Sequence, residues 1–365
     1  MIYFFIYIIL IVSLLVNQRN IGVKLCFLHS LYLIATLVLI AGLRDGVGHD
    51  TDSYGELYDQ IKPLLSYESI PQLLDHWSSF HGENGFLFLV SLSKSIGASF
   101  NVFLILFTSI GFALFYLSLR YYRVNIFLSL FIYVSLYFVT SYFAQIRTGL
   151  VAAGFLFISR YICRKSFVKY LIGLLLLSII HKISFALLPI YFIKFKLDIK
   201  RSLMVVSAAI VVQQINIFDK LSSFFQSSGA WMLFQIYNYS LEDRYISSGL
   251  PIISILFFTY FYFSSLYFAK RNFLSDHYVF ALLRIYLIAF FVLIAFLSVS
   301  IVSGRLFWIL SVVLVVYVPL IFGSIKNKYL KIIYILPVML YSIIQFIKVI
   351  FIENNYMLPY KTILY

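Results

Sequence analysis

Residues 170–193 read YLIGLLLLSIIHKISFALLPIYFI, an apolar run with cations on both sides. Arg160, Arg164, Lys165 and Lys169 precede it, and Lys194, Lys196, Lys200 and Arg201 follow it. Lys and Arg collect in the cytoplasmic loops of membrane proteins, so both ends of this run belong on one side. About 24 residues at 1.5 Å each reach about 36 Å, enough to cross a hydrocarbon core of about 30 Å once and not twice. His181 and Lys182 stand at its middle, and Pro189 interrupts a helix further on. A pair of half-helices that enters the membrane and returns satisfies all three constraints. Such a device is tolerated only where protein encloses an aqueous cavity.

A second long run, 125–159, is broken in the same way by Ser141, Tyr142, Phe143, Ala144, Gln145, Ile146 and Arg147. Further apolar runs near 2–16, 25–42, 101–119, 203–218, 250–269, 279–301, 304–323 and 332–350 are of span length or close to it. The first lacks a basic segment before it and a small-residue cleavage motif after it, and reads as a retained span. The expected fold is an all-α polytopic membrane protein, a single integral membrane domain over 1–365. It would have about 11–12 transmembrane or half-membrane helices, with broken or re-entrant helices near 141–147 and 181–182. Long unbroken runs exclude a membrane barrel, whose strands would alternate over roughly ten residues.

Composition agrees. The chain is 62% hydrophobic and 12% charged, with 39 Phe and 30 Tyr, about half the usual charged fraction of a soluble domain of about 25%. The net charge of +14 could signal a nucleic-acid partner, but the cations lie in short clusters between apolar runs, as membrane orientation requires. Further clusters are Arg19/Lys24, Arg120/Arg123, Lys270/Arg271 and Lys326/Lys328/Lys331. With every cluster cytoplasmic, 43–100, 141–147, 219–249, the turn at 301–305 and both termini become external. Cys26 and Cys163 imply neither a disulfide framework nor a metal site.

Polar chemistry concentrates in the first external loop. Asp45, Asp50, Asp52, Glu56, Asp59, Glu68, Asp75 and Glu83 are eight of the 14 carboxylates in the chain. Against them stand only Arg44 and Lys62, a net of −6. Asp50-Thr51-Asp52 forms a D-x-D that could serve a cation, a sugar hydroxyl or merely a turn or helix cap. No second His stands four residues from His49, so a metal is disfavoured, and Gly46-Val47-Gly48 reads as a turn. Glu83 is either a helix-start carboxylate or a catalytic one. Residues 56–76 have helical apolar spacing and suit an interfacial helix pair. The loop 219–249, with Trp231, Tyr237, Tyr239 and Arg244, offers aromatic faces suited to carbohydrate, or to an interfacial belt.

Arg44, Arg147, His181, Lys182 and Arg305 all fall at interruptions or external ends of spans. Singly each could be a snorkelling anchor. Together, external cations suit a phosphate-bearing ligand, because guanidinium binds phosphate bidentately and keeps its charge. Nucleotides are cytoplasmic, so an external phosphate points to a lipid-linked pyrophosphate. Arg147, His181 and Arg305 are expected to share one site.

The ordered set Arg44-Asp-Gly-Val-Gly48-x-Asp50-x-x-x-Tyr54, Glu83-x-x-Phe86, Gln145-x-Arg147, Ile180-His181-Lys182-Ile-Ser184 with Pro189, Gly304-Arg305 and Leu358-Pro359-Tyr360-Lys361 resembles the EpsG-like branch of bacterial polysaccharide polymerases, the Wzy-type O-antigen and capsule polymerases. The resemblance runs from about residue 40 to the C-terminus. The chain departs from the pattern at His49, where a small residue is usual, in its second acid Asp52, and in placing Gln145 before Arg147 rather than after it.

The resemblance implies a glycosyltransferase of the bacterial cytoplasmic membrane, its site facing the periplasm or exterior. It would transfer a growing glycan from polyprenyl pyrophosphate to the non-reducing end of another lipid-linked repeat unit. Arg147, Lys182 and Arg305 are assigned to the pyrophosphate, with Arg44 a further candidate, and Tyr54, Arg244 and Tyr360 are expected as further substrate contacts. His181, Asp50 and Glu83 are the base candidates. No cofactor or metal is expected. The expected partners are the lipid-linked donor and acceptor, the bilayer, a chain-length regulator and a flippase, and no nucleic acid. A flippase or exporter of the same lipid-linked glycan is the alternative, although no internal repeat supports it. An O-antigen-ligase-type transferase is another.

Overall fold

The structure is a computed structural model that describes residues 2–17, 23–80, 82–215, 252–271, 277–297, 300–351 and 357–363. The expected second external loop, 219–249, and Arg244 within it lie outside the described residues, as does His81. Among the described residues the fold is all-α. The only β-type pairing there is a single antiparallel bridge between Arg44 and Thr362. Among the described residues, six helices are long and apolar enough to cross a membrane: 24–42, 100–122, 146–163, 278–295, 303–324 and 328–351. Shorter apolar helices cover 2–15, 126–138, 167–180 and 182–191. The chain is a multi-pass helical membrane protein.

Two compact units are distinguished, Met1–Leu188 with Met339–Tyr365, and Pro189–Val338. The first begins with α1 (Ile2–Asn17) and α2 (Val23–Gly42). The loop helices α3 (Thr51–Gln60), α4 (Ile70–Ser78) and α5 (Asn84–Ser95) follow, then α6 (Phe100–Tyr122), α7 (Ile126–Tyr133), α8 (Ile146–Cys163) and α9 (Phe167–Ile180). In the second lie α10 (Ile199–Ile215), α11 (Ile252–Arg271), α12 (His277–Ala295), α13 (Ser300–Ser311) and α14 (Leu314–Ser324). The unit boundary falls within α15 (Lys328–Phe351).

Several polar side chains of this second unit are hydrogen-bonded within it, as burial favours. Ser202 meets the Tyr262 hydroxyl at 2.7 Å, Ser265 meets Tyr334 at 2.8 Å, and Arg284 Nε donates to the carbonyl of Phe195 at 3.1 Å.

In the first unit α6 is the central column. The stretch 126–144 packs against it in the reverse direction, with Phe115 against Tyr133 and Phe112 stacked on Tyr142. This return is α-helical only to Tyr133 and then widens into two π-helical turns, Val134–Phe138 and Thr140–Ala144. It ends at Gln145, whose φ of −110° and ψ of 64° break the helix. α8 then runs parallel to α6: Ile146 and Leu150 share a core with Phe103 and Phe107 near the start of α6, while the Ser159 hydroxyl meets that of Tyr122 at its end. π-Turns cluster at functional sites, and this pair delivers the chain to Arg147.

The run 170–193 divides as its length requires. α9 is 14 residues long, about 21 Å at 1.5 Å per residue, and stops at Ile180. His181 is extended, with φ −154° and ψ 116°, and a 3₁₀ segment occupies Lys182–Tyr191. The Tyr170 hydroxyl donates to the carbonyl of Leu187 at 2.6 Å, so the chain doubles back beside α9. His181 therefore sits at the tip of a half-membrane hairpin.

The loop helices are not a free flap. Tyr58, Ile61, Trp77, Phe86, Leu87 and Val90 are buried in one core with Phe103, Leu104 and Phe107 of α6. Leu65 and Ile70, by contrast, point outward at 84% and 73% exposure, as interfacial residues do. Ser69 caps α4 by accepting from the Gln72 amide.

Candidate functional site

Glu83 caps the chain's entry into α5, yet its side chain does not bond to the helix start. The carboxylate turns instead to two distant elements. Arg147 Nη1 donates to Oε2 at 2.5 Å, His181 Nδ1 lies 2.6 Å from Oε1, and the Lys182 amide donates to Oε1 at 3.0 Å. One carboxylate thus joins the first turn of α8 to the tip of the α9 hairpin. Gly85 makes the approach possible, because a Cβ there would collide with the side chain and backbone of Ile179.

The three side chains are sheltered but not sealed, at 10% exposure for Glu83, 12% for His181 and 24% for Arg147. Burial alone would raise the Glu83 pKa. The His181 hydrogen bond, the charge of Arg147 and the Lys182 amide outweigh it and hold the carboxyl at about 2. Glu83 is therefore an anion across the physiological range. Arg147 also lies over aromatic faces, its guanidinium carbon 5.4 Å from the ring centre of Phe86 and 5.9 Å from that of Tyr54. Tyr54 stands edge-on to Phe86 at 5.8 Å. Lys182 is exposed beside this group.

Arg44 has a different situation from the one its position suggested. It is 1% exposed, with Nη1 donating to the Ala41 carbonyl, Nε to the Thr51 hydroxyl at 3.3 Å, and its plane over Phe143 at 5.1 Å. Its Nη2 has no hydrogen-bond partner among the described residues. Burial pulls its pKa down to about 10, against the phenols of Tyr360, Tyr3 and Tyr54. Arg44 is inside the wall rather than on it.

Gly48, at φ +110°, presses against the carbonyl of Phe143, where no Cβ would fit. The C-terminal segment closes the same region. The Asp45 amide donates to the Lys361 carbonyl, the Ile363 amide donates to that of Leu43, and the Tyr360 hydroxyl donates to the Ile40 carbonyl at 2.7 Å. Tyr360 is thus engaged with the backbone of α2.

Asp50 precedes α3 without capping it through its side chain and pairs with His49 at 3.0 Å, both partly exposed. Asp52 is exposed on the first turn. Arg305 belongs to the second unit, on α13, half-buried with Nε lacking a hydrogen-bond partner among the described residues. Among the described residues no three His, Cys, Asp or Glu side chains are placed to hold a metal ion.

Several contributors give little sign in the sequence. Asn101 bonds the carbonyls of Gly42 and Arg44 at 2.9 and 2.8 Å. Its only signal is a lone amide at the start of an apolar run. Phe143 and Thr51, which hold Arg44, have none beyond their places in the broken run and the D-x-D.

These features define a class: a multi-pass helical membrane protein with a carboxylate–arginine–histidine cluster held where two interrupted helices meet a structured loop. The chain belongs to the EpsG family, whose model matches residues 27–362. No curated protein and no solved structure matched the chain. Membership supports a membrane polysaccharide-polymerase type of role.

Proposed function

We propose that the protein joins polyprenyl-pyrophosphate-linked oligosaccharide units into a surface polysaccharide of the O-antigen, capsule or exopolysaccharide kind. An acceptor hydroxyl oxygen bonds to the donor's anomeric carbon, and the bond from that carbon to pyrophosphate breaks. The hydroxyl proton passes to a base, and polyprenyl pyrophosphate leaves. Because the leaving group is already good, positioning and charge stabilisation supply most of what is needed.

The observation that carries this reading is the grip of one carboxylate on Arg147, His181 and the Lys182 amide. A carboxyl whose pKa is held at about 2 is too weak a base for a sugar hydroxyl. Glu83 therefore serves as an orienter, fixing His181 through Nδ1 so that Nε2, on the opposite side of the ring, is the nitrogen that takes the proton. Arg147 and the exposed Lys182 face the pyrophosphate. Tyr54 on α3, with Asp50 just ahead of that helix, forms the sugar side. Arg44 shapes this wall from within.

The distribution of cations supports a site on the external face of a bacterial cytoplasmic membrane. A flippase and a chain-length regulator are the expected partners.

Deletion in the native strain, with complementation by wild type or Glu83→Gln, tests this reading by surface-glycan electrophoresis. The expected deletion phenotype is a single repeat unit without a polymer ladder, restored by wild type and not by the variant. Loss of all surface glycan would point to export, and an unchanged ladder would overturn the proposal.

A further inference from the structure

The opposite pole of the same helices carries a second cluster that the reaction does not use. α6 and α8 run parallel and α9 runs back, so two C-termini and one N-terminus meet there. They bring Arg120, Arg123, Arg160, Arg164, Lys165 and Lys169 to one face, and no carboxylate occurs anywhere between residues 84 and 197. Basic residues at such a pole orient the chain, and those at the ends of α6 and α8 complement the helix dipoles. Both effects need only charge near the helix ends.

Three features go further. Two guanidiniums, half-buried Arg160 and exposed Arg164, lie over aromatic rings. Arg160 lies 3.7 Å over Phe157 and donates to the Tyr161 hydroxyl at 2.8 Å, while Arg164 lies 4.7 Å over Tyr121 and donates to its hydroxyl at 2.7 Å. Stacking holds the guanidinium plane and directs its edge donors. Arg160 is also drawn one turn into the bundle, half-buried, with Nε shielded and lacking a hydrogen-bond partner among the described residues. Finally, Arg123 and Lys165 both occupy left-handed backbone, φ 54° and 55°, where glycine is the ordinary helix terminator and a side chain is strained.

We infer that this pole binds the headgroup of an anionic phospholipid, with Arg160 and Arg164 holding phosphate and the remaining cations forming the rim. A lipid rather than a soluble anion is indicated by the apolar surface beside the cations. Leu117, Val168 and Ile172 lie within one turn of Arg120 or Lys169 and are 49%, 66% and 54% exposed. Acyl chains would cover them while phosphate meets the basic rim, the arrangement by which basic pockets between membrane helices hold anionic lipid. In the topology given by the loop charges this is the cytoplasmic leaflet.

The test is native mass spectrometry of the full-length protein in nonionic detergent, titrated with diphosphatidylglycerol and separately with phosphatidylethanolamine. Wild type should bind the former and not the latter. Arg160→Gln/Arg164→Gln should weaken binding at least about tenfold, because two charge-assisted phosphate contacts are lost. Lys62→Gln/Lys361→Gln, at two exposed positions at the other pole of the same unit, removes equal charge and should leave binding unchanged. Should the first variant fail to fold by size-exclusion chromatography, Arg160→Lys/Arg164→Lys keeps the charge but loses the planar fork, and should still weaken binding. Equal weakening by the two Gln pairs, undiminished binding by the Lys pair, or displacement of the lipid by equimolar inorganic pyrophosphate would overturn the inference.

Discussion

At the scale of single residues, the role proposed for Glu83 is that of an anion and not of a proton carrier. Glu83→Gln should cost at least about a hundredfold in polymer formation, the scale on which loss of a base's orienter or a charge stabiliser is felt. Because Glu83 and His181 act through one hydrogen bond, their single and double Gln variants should be strongly non-additive. A coupling of about 0.5–3 kcal/mol in rates of chain growth is expected, and additive losses would separate the two residues. The same carboxylate gives a pH dependence of stability. Its folded pKa, about 2, lies below the ordinary 4.5, so the unfolded chain takes up the proton first. The stabilisation is complete above about pH 4.5 and shrinks as pH falls toward 2. Thermal melting should accordingly show the gap between wild type and Glu83→Gln closing across that window. Arg147 and His181 are legible in the sequence as candidates because each interrupts an apolar run, and Glu83 because it closes the acidic loop just ahead of one. That they share one carboxylate is not, since 64 residues separate Glu83 from Arg147 and 98 separate it from His181. Arg44 shows the converse. Its place at a span end resembles a ligand-binding position, and only packing against Phe143 and Thr51 buries it.

At the scale of elements, the site depends on two helices that stop early. The hairpin of α9 is legible because charge on both flanks and a length of one span cannot both be met by a straight helix. The break at Gln145 is legible as a polar interruption, but the π-turns before it are not, because Val134–Phe138 reads as ordinary apolar helix. What makes these ends meet is close backbone approach. Gly85→Ala would drive α5 away from Ile179 and so draw Glu83 from His181. Overpacking of this kind costs about 1–3 kcal/mol, and the variant should melt earlier and lose chain growth together. A neighbouring change such as Phe88→Ala, on the exposed side of α5, should do neither. An unchanged melting curve for Gly85→Ala would mean that α5 and α9 are not in the contact described.

At the scale of the whole molecule, the first unit is polarised. The α8–α9 pair carries the Glu83 cluster at one end and the carboxylate-free basic cluster at the other, separated by about 27 Å along the 18 residues of α8. Composition and cation spacing make this polarity readable in the amino-acid sequence, whereas the tail's return to Arg44 through Thr362 has no sequence signal of its own. In a background of Cys26→Ala and Cys163→Ala, the single substitutions Ser53→Cys and Lys169→Cys should label from opposite sides of sealed vesicles with an impermeant maleimide. Labelling from one side would refute the topology. In the proposed reaction the Glu83–Arg147–His181 cluster forms glycosidic bonds at the expense of a lipid pyrophosphate. The most direct test is the purified protein with a synthetic polyprenyl-pyrophosphate-linked repeat unit, measuring chain length and released polyprenyl pyrophosphate together. A ladder with one carrier released per bond formed is expected, lost in Arg147→Gln and His181→Gln. A ladder that persists in both variants, or folded wild-type protein that releases no carrier, would contradict it.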